Sequence, residues 1–82
     1  MINVKNEAFL KAFGSHLKRL REKKGISQEN LSTDANIAEN QIGLIEQGKI
    51  NTTISTLFAI SKALEVNYKE LLNFEMHEKK RE

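Results

Sequence analysis

Phe9, Phe13, Leu17, Leu20 and Lys24 recur at steps of three and four residues, and Gly25 follows. That spacing returns side chains to one helix face at every turn, so it predicts an amphipathic helix over about Glu7–Lys24 with Asn6 as N-cap. Gly25 ends it, because glycine takes the left-handed C-terminal conformation at little steric cost. Proline is absent and 29% of residues are charged, the profile of a helical bundle with a solvated surface.

Four further helical segments follow the same logic. Ser27 caps a short helix from Gln28 to about Asp34, with Gln28 and Glu29 at its positive end and Leu31 and Ala35 inward. Asn36 breaks it, since asparagine tolerates positive φ. A third helix covers about Glu39–Gln47 and ends at Gly48, with Ile42, Ile45 and part of Leu44 inward. After the polar loop Lys49–Thr52, Thr53 or Ser55 caps a fourth helix whose stripe is Leu57, Ile60, Ala63 and Leu64. Asn67 caps a short fifth with Tyr68, Leu71 and Leu72, and the charged residues from Glu75 onward read as a frayed tail.

With 82 residues there is room for one domain. A chain of this size buries only about 60–65% of its unfolded surface, so its stability is marginal. The absence of cysteine excludes disulfides, thiolate zinc sites and cysteine nucleophiles. No apolar run is long enough for a membrane span, and the first residues lack a signal peptide's apolar core, which together predict a cytoplasmic protein. The only Asp is Asp34, His16 and His77 are far apart, and no glycine-rich phosphate loop occurs. Neither an enzyme nor a cofactor or metal site is expected. His16 reads most simply as a surface residue.

Charge is unevenly spread. Residues 1–26 carry seven Lys/Arg against two Glu, a balance of +5, whereas residues 27–72 balance at −3 and the last ten at zero. A basic segment favours a polyanionic partner, although a solvated lysine-rich helix face looks the same.

Two short helices around a tight turn form a helix-turn-helix corner. The residues that fill it are more telling: Ser27-Gln28-Glu29-x-Leu31, then Ile45-Glu46-x-Gly48-Lys49, then the run Leu57–Val66. Over roughly residues 13–72 the chain closely resembles the phage repressor/Cro-like regulators, the XRE family. The resemblance implies an all-α, five-helix, lambda-repressor-like DNA-binding domain over residues 9–72, flanked by an N-terminal extension (1–8) and a charged tail (73–82). It also implies transcriptional regulation by a dimer on a pseudo-palindromic double-stranded operator, in a restriction–modification controller or a phage-type repressor. An antitoxin-like interaction module uses the same residues and remains open. RNA polymerase or a toxin-like protein would be further partners.

In such a domain the second helix lies across the phosphates and the start of the third enters the major groove. The resemblance then assigns base reading to Glu39, Asn40, Gln41 and Leu44, and phosphate contact to Gln28, Gln47, Lys49 and Asn51. Asn40, and Gln41 if it points down, can bond adenine through two atoms; Leu44 suits a thymine methyl. Glu39 can accept from cytosine N4 or simply complement the helix dipole. Each polar residue also reads as ordinary surface, and Gln28 as a generic helix start. Asn36 stands where relatives often carry Gly, and Ala38 where they carry a Ser/Thr cap. Arg21 and Glu46 stand at positions that pair in this family, although Arg21 alone could touch phosphate. Tyr68, Leu71, Leu72, Phe74 and Met76 offer more apolar surface than a small core needs, and mark this end as the homodimer interface. Phe9 is a second candidate contact.

Overall fold

The computed structural model describes residues 4–76. Residues 1–3 of the expected extension and 77–82 of the expected tail, with His77, lie outside the described residues. The elements are α1 (Glu7–Lys23), α2 (Gln28–Ala35), α3 (Glu39–Glu46), α4 (Ile54–Leu64) and a closing 3-10 helix (Tyr68–Leu72). The described residues hold no strand, and the class is all-α.

Side-chain caps open most of the elements. Asn6 Oδ1 accepts from the Phe9 amide at 2.9 Å, Ser27 Oγ from Asn30 at 3.0 Å, and Thr53 Oγ1 from Thr56 at 3.1 Å. Thr53 rather than Ser55 therefore caps α4. Ala38 offers α3 no side-chain bond, which forfeits about 1 kcal/mol. The α2–α3 turn is closed by Asn36 at φ 59, ψ 47, and the Ile37 amide donates back to the Ser32 carbonyl at 3.0 Å.

Three boundaries differ from the periodicity. Lys24 is an exposed C-cap and not a stripe residue, α2 extends to Ala35, and α3 closes at Glu46 with Gln47 as its C-cap. The fifth element is also not an α-helix. The Glu70 amide donates to the Asn67 carbonyl at 2.8 Å, a three-residue step, and five residues give too few bonds for an α-helical ladder.

One core joins every element. Phe13 and Leu17 from α1 meet Leu31 and Ala35, Ile42 and Ile45, Ile60 and Leu64 from the next three helices, and Leu71 from the 3-10 helix. Burying each large side chain contributes roughly 1.5–3 kcal/mol before chain entropy is counted. Leu71 is fully buried in this core, so it is not available as an interface residue. Ser32 and Ser61 are buried too, and each hydroxyl donates to a carbonyl three residues back, at 2.8 and 2.7 Å.

The crossing of α1 over the end of α3 is set by Gly14. A Cβ there would sit 2.5 Å from the Glu46 carbonyl oxygen and closer still to that of Ile45. Only a hydrogen fits, so the two backbones touch. Their mutual position is thereby fixed.

Candidate nucleic-acid interface

The starts of α2 and α3 open side by side on the surface. Between them lies an open cleft of about 560 Å³ lined by Gln28, Glu29, Glu39 and Asn40. All four residues are exposed. Gln41 and Leu44 are half-buried and do not line the cleft. Gln47, Lys49 and Asn51 follow α3 as exposed residues, although the Asn51 side-chain amide also reaches the Val4 carbonyl at 3.4 Å. Among the described residues no group of His, Cys, Asp or Glu is placed to hold a metal ion, and no helix is long and apolar enough to cross a membrane.

Behind the cleft, Arg21 of α1 grips Glu46 at the end of α3. Nε donates to Oε2 at 2.6 Å and Nη2 to Oε1 at 3.1 Å, a two-pronged pair whose side chains are 10% and 3% exposed. Nη1 donates to the Ile26 carbonyl at 2.8 Å. The hydrogen bond to Glu46 holds the Arg21 guanidinium above its ordinary pKa, against the desolvation that would lower it. Taking two charges out of water offsets much of their attraction, so the pair does more for orientation than for stability.

The remaining member of this network was not foreseen. Gln28 Nε2 donates to Glu46 Oε1 at 2.9 Å, which sets the carboxamide's orientation at the mouth of the cleft. Gln28 thus has a protein partner before any ligand arrives. Its carbonyl oxygen turns toward Gly43, where a Cβ would lie 3.4 Å away. The α3 surface facing Gln28 is bare backbone, and the sequence carried no sign of that beyond the glycine itself.

A second surface lies elsewhere on the molecule. Ile54, Phe58, Tyr68 and Leu72 are each at least half exposed and line a groove of about 520 Å³ between α4 and the 3-10 helix. The Phe58 and Tyr68 rings are 6.2 Å apart, and the Lys62 ammonium sits 5.8 Å above Phe58. Of the residues expected at an interface, only Tyr68 and Leu72 line this groove. Phe74 is half-buried against Phe9, Phe13 and His16, at 5.2, 6.4 and 5.4 Å between ring centres, so intramolecular packing already occupies it. Met76 is half-buried and lies outside the groove, and Phe9 is spent largely on Phe74. Ile54 and Phe58 had been overlooked, although their four-residue spacing off the α4 stripe is a legible second apolar face.

Comparison with known proteins matches residues 17–71 to a family described as helix-turn-helix. This chain belongs to the helix-turn-helix family. It is of the phage repressor/Cro-like (XRE) type, with α2 and α3 as the helix-turn-helix pair. It is 34% identical over 62 residues to the HTH-type transcriptional regulator y4dJ of Sinorhizobium fredii, covering 76% of this chain and 80% of that protein. It is 36% identical over 63 residues to the control protein C.BamHI of Bacillus amyloliquefaciens, covering 76% and 78%. A similar solved structure is the restriction-modification controller protein C.AhdI from Aeromonas hydrophila, at TM-score 0.74 and 32% identity, covering 76% of this chain and 94% of that one.

Proposed function

We propose that this helix-turn-helix protein is a sequence-specific regulator of transcription, binding a pseudo-palindromic double-stranded operator as a homodimer in the manner of a restriction-modification controller. The cleft carries this reading: the leading edge of α3 projects Glu39 and Asn40 from a helix clamped to α1 through Glu46. A reader clamped at its C-terminal end and joined at its start to α2 by the tight turn suits direct contact with base edges. Likeness to C.BamHI and C.AhdI favours the controller over a phage-type repressor. We assign base reading chiefly to Glu39 and Asn40, with Gln41 and Leu44 beside them, and phosphate contact to Gln28, Gln47, Lys49 and Asn51. The cell compartment in which such a protein works is the cytoplasm.

Titrations on a selected operator and on random DNA, each at two or more salt concentrations, test the assignment. Asn40→Ala should lose about 1–3 kcal/mol on the operator and little on random DNA, because only base contacts discriminate. Lys49→Ala should weaken both DNAs alike and flatten the log–log salt dependence by about one unit per protomer, since a phosphate contact releases a counterion whatever the sequence. Equal losses on both DNAs for Asn40→Ala would remove it from the readers. A wild type that distinguishes no DNA sequence at all would leave only the antitoxin-like interaction module.

The groove supports the homodimer. One helix-turn-helix reads only a few base pairs, and a two-fold pair places two recognition helices about 34 Å apart. Ile54, Phe58, Tyr68 and Leu72 form a contiguous apolar face of the kind that marks an association site. Phe58→Asp should give a monomer at concentrations where wild type sediments as a dimer, with helix content unchanged because Phe58 is half exposed and outside the core. A variant that still dimerises would place the contact elsewhere.

A further inference from the structure

We propose that His16 is a positioning residue for self-association, acting on the groove through the 3-10 helix that forms one of its walls. The proposal rests on the dimer reading above. His16 lies on α1, half-buried, with Nε2 2.6 Å from the backbone carbonyl oxygen of Glu70. A carbonyl only accepts, so the ring donates Nε2–H across 54 residues of sequence. The other side of the ring's setting is Phe74, 5.4 Å away between centres, and Phe74 is in turn backed by Phe9 and Phe13. The imidazole is thus held in place from the α1 side.

Glu70 stands between Tyr68 and Leu72, the two groove residues that the 3-10 helix supplies. A five-residue 3-10 helix has little hold on its own orientation, because its internal bonds are few and poorly aligned. Leu71 plugs it into the core at one point. Val66 before it and Phe74 after it pack against the same core, so what Leu71 leaves unset is the roll of the short helix about that line, and such a roll would swing Tyr68 and Leu72 away from Ile54 and Phe58. The His16–Glu70 bond adds a second fixed point on the same turn. The orientation of the groove wall is then defined in the monomer, and association need not order it.

Sedimentation over a concentration series of wild type, His16→Ala and His16→Gln tests this. One net hydrogen bond shifts the ordering of the groove wall by about fivefold, and a two-fold dimer counts that shift twice, so His16→Ala should raise the dimer dissociation constant severalfold, with about 25-fold as the ceiling. His16→Gln keeps an N–H donor of similar reach and should recover most of that loss. Helix content by circular dichroism should match wild type in both. An alanine variant that dimerises like wild type overturns the proposal, as does a glutamine variant no better than alanine. Loss of helix content in the alanine variant also overturns it, since His16 would then serve the fold itself. A wild type that stays monomeric throughout overturns the dimer reading, and this proposal with it.

Discussion

Arg21→Met is expected to remove about 3–5 kcal/mol of folding stability, because it strands the Glu46 carboxylate where its side chain is 3% exposed. A domain of this length holds only about 4–12 kcal/mol in total. The melting temperature should therefore fall by more than about 12 °C. Replacing both partners, as Arg21→Met with Glu46→Leu, should cost far less, since no charge is left buried and unpaired. The double variant still deprives Gln28 of its acceptor, so its DNA affinity should drop while its fold persists. Thermal melts of the three proteins, followed by operator titration of the double variant, separate the two roles. A single variant that melts within a degree of wild type would mean that the pair contributes nothing to the fold.

Gly14→Ala sets two effects of opposite sign against each other. Alanine in a helix interior is favoured over glycine by about 1 kcal/mol. Against this, the new Cβ would lie 2.5 Å from the Glu46 carbonyl oxygen and 2.7 Å from its carbonyl carbon. Those are backbone atoms of a packed helix and cannot rotate aside as a side chain would. α1 must lift off α3, and the Arg21–Glu46 pair spans that same crossing. Overpacking of this kind costs about 3 kcal/mol or more, so a net loss of about 2 kcal/mol is expected. Chemical denaturation should show a lower midpoint with an unchanged slope. A variant more stable than wild type would show that helix propensity outweighs the contact.

The starts of α1, α2 and α4 and the central turn are legible because each rests on local chemistry. Asn6, Ser27 and Thr53 accept amide hydrogens within their own first turns, and Asn36 takes a positive φ that few side chains tolerate. The last element was misread because Tyr68–Leu72 is a single short turn, over which three- and four-residue spacings cannot be told apart. For the same reason Leu71 and Leu72 could not be divided between core and surface. Gly14 carried no signal of its own, since a glycine within a helix does not say what approaches it. Gln28 was read alone, although its amide partner lies 18 residues away and appears only once α2 and α3 are packed. His16 reads as surface in the sequence because its acceptor is a backbone carbonyl 54 residues on, and any residue type supplies one.

The Ile60–Leu64 packing of α4 has a consequence for the operator itself. α4 carries one wall of the apolar groove and is seated through Ile60 and Leu64 on the same core as α2 and α3, with no linker between groove and cleft. A dimer built on that groove is therefore a caliper of fixed opening. Adding one base pair between half-sites moves the second by about 3.4 Å and turns it by about 34–36° around the duplex axis. The protein can follow only by breaking its core or its dimer contact, or by making the DNA twist and bend to meet it. For such a dimer, spacer length and the ease with which the untouched central base pairs deform would be selection rules set by the fold, alongside the base reading proposed for α3.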